Sequence, residues 1–488
     1  MSSVQRITAH QSYEKLVMEK YQLSSALLHF SPQPNDIWTL DDATKGTFIM
    51  GATGSGKTSG SGKTIAKSFL ESGMGGLILV AKQQDEKNTW IRYAKETGRL
   101  DDIIVFSEEN PFRFNFLDYE MSRTDRGGGK TQNLVDLFML IHEMGNAQEG
   151  GQKSEDRFWD SALQRLLARI IDLIKLAGEK LTTRNMYRIV SSAPLDWGVW
   201  ASEDEEAKDA FLQRYAVQCL VKANEHNADA DEMEFVSSFW EQEWPSLDDR
   251  TRSNIKESFL GLVEPFLSGL LAELLTTETN ITPDITHDGN IIILDVPVQS
   301  YYKLGVYLQG IFKYMWQKAI ERRNIEEKPL PNFLWVDEAQ LFLNKHDALF
   351  QSVCRSSRCC TVYLTQNISN VYSVIGGFRP KDKADSLLGN FNTKIFHAQN
   401  DTITTEWAAQ TIGRSFQMIG NFSANIDKQA SNAGASEQLH YQVLPLEFTT
   451  LRTGSPLHDY QVDAIITVAG RTWGNGMNHL RVSFDQRV

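Results

Sequence analysis

The chain has 488 residues, enough for about three domain-sized units, with 41% hydrophobic and 23% charged side chains as in ordinary globular proteins. Its net charge of −13 argues at first sight against nucleic acid, but residues 203–249 hold 14 acidic and 3 basic side chains, so −11 lies there and only −2 in the rest. No apolar stretch reaches the ~18 residues of a membrane span, the N-terminal stretch is too polar for a signal peptide, and Cys219, Cys354, Cys359 and Cys360 lack zinc-site spacing, so reduced thiols and a cytoplasmic location are expected.

Residues 1–45 carry weak signals, a helix around Ser12 to Leu28 and then a loop from Pro32 to Asp36. Thr47 to Met50 is a short apolar run, predicted as a buried strand. It leads into Gly51-Ala52-Thr53-Gly54-Ser55-Gly56-Lys57-Thr58, which fits the P-loop pattern G-x-x-x-x-G-K-[ST]. Glycines permit backbone geometries in which peptide N–H groups turn toward phosphate oxygens. Ala52, Thr53, Gly54, Ser55, Gly56, Lys57, Thr58 and Ser59 are therefore the expected ATP-binding residues. Lys57 would reach the β- and γ-phosphates, and the Thr58 hydroxyl would bind Mg²⁺. A Gly/Ser-rich surface loop is the competing reading, disfavoured by the strand before it and the helix-like Ile65 to Leu70 after it. A second GSGKT at Gly60 to Thr64 has Lys57 where the pattern needs glycine, so it reads as a glycine-softened first helical turn.

Gly75-Gly76 breaks the helical pattern, and Leu77 to Val80 is a second buried strand. Asn88 to Thr97 looks helical, and Ile103 to Phe106 is a third strand. This alternation is that of an α/β nucleotide-binding domain. Gly-rich loops follow at Gly127 to Gly129 and around Gly145 to Gly151. The best helix runs from about Phe158 to Ala177, with an apolar stripe at steps of three and four that reads as core. Residues 120–275 are thus an expected all-helical insertion, and its acidic segment is a solvated helical surface, a mobile loop or a protein-docking face.

Strand order resumes at Ile291 to Pro297, followed by a long helix over Lys303 to Arg323 and strands at Asn332 to Val336 and Thr361 to Leu364. Asp337-Glu338 ends the first of these strands, where ligands sit in open α/β sheets. Asp337 would hold Mg²⁺ and Glu338 would orient and deprotonate the attacking water. Gln366 is either a nucleotide sensor or a plain strand-end amide. Arg355 and Arg358 are placed on one face of a helix, Arg355 as a candidate arginine finger and both otherwise as solvated surface. Arg379, Lys381 and Lys383 beside Gly376-Gly377 form a small basic cluster, either a nucleic-acid contact or an exposed turn. Residues 416–438 read as a mobile loop, and the tail from Gln442 as strand-rich, with Val462 to Val468 strongest.

GATGSGKT, RFNFLDYE (113–120), LWVDEAQLF, CRSSRCCTVYLTQNIS and NTKIFHAQND (392–401), in this order around a helical insertion, resemble the HerA/FtsK superfamily of motor ATPases. Within it they are closest to the TraG/TraD-type coupling ATPases of conjugative type IV secretion. The resemblance spans roughly residues 35–475 and implies an α/β, RecA-like P-loop NTPase core with an inserted all-α domain and a strand-rich C-terminal end. The expected division is 1–119 for the N-terminal segment and first part of the core, 120–275 for the insertion, and 276–488 for the rest. The resemblance further implies a homohexamer with ATP between subunits, DNA in the centre, Arg355 as the trans-acting arginine and Gln366 as the sensor. Such coupling proteins usually carry membrane helices ahead of the nucleotide domain. None is found here, so the expectation is a DNA translocase recruited by a type IV secretion, mobile-element or defence partner. Two alternatives are an ATPase that energises secretion or remodels a complex by binding protein, and a nucleotide-gated scaffold with little turnover.

Overall fold

The short apolar runs of the sequence become the strands of one large sheet. The computed structural model describes residues 21–83, 85–148, 156–226, 230–375, 380–425 and 430–487. The strands are β1 Ala26–His29, β2 Ile37–Thr39, β3 Thr47–Met50, β4 Gly75–Leu79, β5 Ile103–Phe106, β6 Ile291–Leu294 and β7 Asn332–Val336. They continue with β8 Cys359–Thr365, β9 Thr393–Phe396, β10 Arg414–Asn425, β11 Ala430–Tyr441, β12 Gln461–Val468 and β13 His479–Asp485. Nine of them form a mixed sheet in the order β13-β12-β9-β3-β8-β7-β4-β6-β5. Every residue of β3, β4, β7, β8 and β9 is buried, which is why β3, β7 and β8 read as largely apolar runs rather than alternating ones.

The chain divides into two compact units. One comprises the residues up to Ile104, Thr286–Ile293 and those from Ile320 onward, and it wholly contains the strands from β13 to β4. Its core gathers Ile49, Ile65, Phe69, Ile78, Trp90, Phe333, Trp335, Leu364, Ile395 and Ile466. Trp90 of the Asp85–Glu96 helix stacks on Phe333 at 5.7 Å and meets Trp335 edge-on at 5.2 Å, so one indole fixes that helix against β7.

The other unit comprises Val105–Ile285 and Leu294–Ala319 and is built mainly of helices. Leu163, Leu166, Leu167, Ile170, Leu173 and Ile174 on the Asp156–Leu176 helix are all buried, as the apolar stripe predicted. The acidic segment is helical over Glu205–Leu212, Tyr215–Glu225 and Ala230–Ser238.

Several local expectations are corrected. Ala26 to Leu28 belongs to strand β1, and residues 21–25 ahead of it are turn, not a helix from Ser12; the residues before Tyr21 lie outside those described. Gly75 and Gly76 do not end a pattern but begin β4. A Cβ on Gly75 would lie 1.9 Å from the Thr286 carbonyl oxygen, and one on Gly76 2.6 Å from the Phe333 ring, so these glycines permit close strand packing. The Thr131–Gln148 helix runs through Gly145, where a Cβ would meet the Tyr307 hydroxyl at 2.6 Å; the expected loop is thus helical as far as Gln148, and 149–155 lie outside the described residues. Within 416–438, a mobile loop is replaced by antiparallel β10 and β11, paired from Arg414↔Tyr441 to Asn425↔Ala430. Backbone hydrogen bonding there overrides a Ser/Asn/Gly-rich composition. The Gly376-Gly377 turn and Arg379 lie outside the described residues, whereas Lys381 and Lys383 sit on the Pro380–Gly389 helix.

Candidate functional site

Five adjacent parallel strands, β9-β3-β8-β7-β4, end along the same edge of the sheet, the edge where ligands bind in open α/β folds. The residues that leave these ends are His397 after β9, Gly51 after β3, Gln366 after β8, Asp337-Glu338 after β7, and Ala81-Lys82 just beyond β4. Register sets the ends in two steps: β3, β8 and β9 end level, Met50 pairing with Thr365 and with Phe396, and β7 and β4 end level with each other, Val336 pairing with Leu79 and, across from it, with Tyr363 before the β8 end.

Gly54 and Gly56 in the loop after β3 have φ of +75° and +82°, a region that side chains with a Cβ resist. A Cβ on Gly56 would also lie 2.6 Å from Val462 of β12. The Ala52 N–H donates to the Ala398 carbonyl at 2.9 Å and the Ser55 N–H to the Ala52 carbonyl at 3.0 Å, so these two amides hold the loop's own shape. The Ser55 hydroxyl is buried with no partner among the described residues, and Lys57 is buried as well. Ser59 turns its hydroxyl to the Gln486 side-chain amide, which donates to it at 2.7 Å.

The repeated glycines behind the loop also have a physical account. Thr58–Gly62 is a π-helical turn that passes into the Lys63–Glu71 α-helix. A Cβ on Gly60 would press on Val462 at 3.1 Å, and one on Gly62 on the Lys57 carbonyl at 2.9 Å. The second GSGKT is therefore a wide, closely packed first turn, and such π-turns recur at functional sites. Ser61 in this turn donates to Nε2 of His397 at 2.7 Å, while His397 Nδ1–H donates to the Asp463 carbonyl at 3.0 Å. Burial pushes the His397 pKa down to about 4 despite that carbonyl, with Lys57 adding to the depression, so the ring is neutral and pins the P-loop turn between β9 and β12.

The two distant halves of the predicted site meet: the Thr58 hydroxyl donates to Asp337 Oδ2 at 3.2 Å across 279 positions of sequence. A hydroxyl and a carboxylate side by side, next to a buried lysine, form the hard-oxygen donor set that suits Mg²⁺ bound with a phosphate chain. The orphaned Ser55 hydroxyl and the glycine cradle fit the same ligand.

Glu338 follows in the left-handed conformation, φ 48° and ψ 51°, unusual for a residue with a Cβ. Its N–H donates to Asp337 Oδ1 at 2.9 Å. Its carboxylate is held by the Lys82 ammonium at 2.8 Å and by the Gln340 amide at 2.9 Å, with Gln366 longer at 3.4 Å. Burial acts to raise the Glu338 pKa, but Lys82, Gln340 and Lys57 outweigh it and hold the group below the usual value. Glu86 accepts the Ala81 N–H at 2.8 Å; burial, with Asp337 nearby, pushes its carboxyl up to about 7.

Arg355 and Arg358 depart from expectation. The Lys345–Val353 helix ends before them, and Arg358 is left-handed at φ 48°, so they share no helical face. Arg355 donates to Asp41 at 2.8 Å, and Asp41 also receives Lys45 at 2.6 Å. The structure thus brings Lys57, Thr58, Asp337, Glu338 and Gln366 together and engages Arg355 elsewhere. Sequence reading missed Lys82, Glu86, Gln340 and His397 as members of this cluster. For Lys82, Gln340 and His397 the one available signal was position shortly after a strand; Glu86, inside the Asp85–Glu96 helix, carried none.

Residues 331–446 match a family model described as the TraM recognition site of TraD and TraG. No curated protein sequence matches the chain. The fold is that of a conjugative coupling protein. The chain is similar to plasmid coupling protein TrwB in complex with the non-hydrolysable ATP analogue ADPNP, at 14% identity, with 97% of this chain and 91% of that one covered and a TM-score of 0.58. It is similar to the same protein in complex with ADP and Mg²⁺, at 14% identity, 96% and 92% coverage and a TM-score of 0.55. An unbound monoclinic form described as the bacterial conjugative coupling protein TrwBdeltaN70 gives 14%, 97%, 93% and 0.57. Among the described residues no single helix is long and apolar enough to cross a membrane.

Proposed function

We propose that this chain is an ATP-hydrolysing motor of the coupling-protein kind that translocates DNA, assembled as a ring of like subunits. The observation that carries the reading is the meeting of Thr58 with Asp337 at 3.2 Å beside buried Lys57. Thr58 and Asp337 would hold Mg²⁺, which when bound neutralises charge on the β- and γ-phosphates. Lys57 steadies the same phosphates, and the glycine loop supplies N–H donors. Glu338, kept ionised by its neighbours, accepts a proton from the attacking water. Gln366 lies within reach of Glu338 and orients that water, while Arg355 serves the nucleotide of an adjoining subunit. The similarity to TrwB structures with ADPNP and with ADP and Mg²⁺ supports a nucleotide and Mg²⁺ ligand, and their description as coupling proteins supports DNA.

One observation favours a protein partner as well. The matched family is described by a TraM recognition site, and the −11 segment supplies exposed acidic helices. Steady-state ATPase rate with single-stranded DNA, double-stranded DNA or none, at low salt, tests the proposal. Stimulation by DNA that weakens as salt rises is expected. Basal hydrolysis unaffected by any DNA would leave the protein-directed ATPase as the surviving reading, and an absence of hydrolysis would leave the nucleotide-gated scaffold.

A further inference from the structure

Glu338 needs more than burial to act. Its side chain is only 7% exposed and it neighbours the Asp337 carboxylate, so an ionised Glu338 needs a cation close by. Lys82 is that cation: its ammonium lies 2.8 Å from Glu338 Oε1. The lysine comes from the turn just beyond a different strand, β4, which lies beside β7 in the sheet. Its backbone is itself anchored, since Glu86 from the next helix accepts the N–H of neighbouring Ala81 at 2.8 Å. On the other oxygen, Gln340 donates at 2.9 Å, and Gln340 is in turn fixed by the Thr365 hydroxyl, which donates to it at 2.8 Å. The carboxylate is thus gripped by the turn after β4 on one side and, on the other, by Gln340 after β7, itself braced from β8, with Lys57 the further cation acting on it.

We infer that Lys82 is a positioning residue for hydrolysis, fixing the orientation of the Glu338 carboxylate through a direct ion pair without taking part in holding nucleotide. The inference rests on Glu338 acting on the attacking water. A carboxylate with one clamp removed swings about its χ angles, and a small misplacement of a general base lowers turnover steeply. Arginine keeps the charge and reach, whereas methionine keeps the length alone.

The experiment compares Lys82→Met, Lys82→Arg, Glu338→Gln and the Lys82→Met/Glu338→Gln double variant in the full chain. Phosphate release gives kcat and KM, and a fluorescent ATP analogue gives Kd. Lys82→Met is expected to lower kcat about tenfold or more with Kd changed less than about threefold, and Lys82→Arg to regain most of the rate. In the Glu338→Gln background, Lys82→Met should cost nothing further, because the residue it positions is already gone. An unchanged or raised kcat in Lys82→Met overturns the inference, as does a Kd loss parallel to the rate loss, or an undiminished Lys82→Met effect on the Glu338→Gln background. A wild-type chain that binds the analogue but hydrolyses nothing refutes the ATPase reading instead. In that case a Kd unchanged in Lys82→Met still supports a lysine outside the nucleotide contacts, and a weakened Kd overturns it.

Discussion

Replacing Glu338 by glutamine removes one charge and one proton acceptor while keeping the side chain's size. The carboxylate oxygens face Lys82 at 2.8 Å and Gln340 at 2.9 Å, both donors, so the new amide must point its own NH₂ at one of them. Stability should fall modestly: Lys82 is 49% exposed and can rehydrate, but the buried NH₂ that faces a donor goes unsatisfied, which costs about 1–3 kcal/mol. The kinetic effect is larger. Loss of a general base costs about 10²–10⁴ in rate, or about 3–5 kcal/mol in the barrier. Nucleotide affinity should survive, since Lys57, Thr58 and Asp337 are untouched and Thr58 still meets Asp337. Phosphate release and binding of a fluorescent ATP analogue, measured on the same sample, separate the two effects. Hydrolysis within about threefold of wild type, with the fold intact, would refute the assignment of the base.

Arg355→Ala should lower turnover about 10³-fold or more in the assembled ring while leaving analogue affinity nearly unchanged, checked by phosphate release at protein concentrations above and below assembly. Gly75→Ala forces a Cβ to 1.9 Å from the Thr286 carbonyl and should destabilise the chain by about 1–3 kcal/mol, seen as a lower urea midpoint. Asp463 is buried, which alone would raise its pKa, but Arg452 at 2.8 Å and Ser483 at 2.6 Å hold it below the usual value. A depressed carboxyl pKa gives stability that is present above its unfolded value and is lost as pH falls through the folded one. Urea midpoints should therefore drop more steeply below about pH 4 in wild type than in Asp463→Asn.

How much of this was legible follows from which interactions are local. β3, β6 and β7 could be read because strands covered on both faces need apolar side chains at every position, and the P-loop because its spacing is a backbone requirement. The β10–β11 pair could not: its strands gain their hydrogen bonds from each other, and Ser, Asn and Gly report a loop when read singly. Arg355 was misplaced for a similar reason, since nothing local in Gln351 to Arg358 marks the helix end at Val353, and the Asp41 partner lies 314 positions away. Gly75, Gly76 and Gly145 misled in the same direction. Each was read as a chain breaker, whereas each makes room for an atom from a distant segment.

The sheet's register explains why the site depends on so few residues. Because Met50 is level with Thr365, and Val336 with Tyr363 and Leu79, the loops leaving β3, β8, β7 and β4 emerge side by side. A one-residue slip of β7 would send the Asp337 side chain to the opposite face of the sheet and separate it from Thr58. The left-handed turn at Glu338 then does what an extended residue could not. It ends the strand at once, lets the Glu338 N–H brace Asp337 at 2.9 Å, and leaves the Glu338 carboxylate to Lys82. That conformation costs about 1–2 kcal/mol in a residue with a Cβ. Glycine would avoid the cost but has no carboxylate, so a glutamate that stands here against its backbone preference points to a use for its side chain.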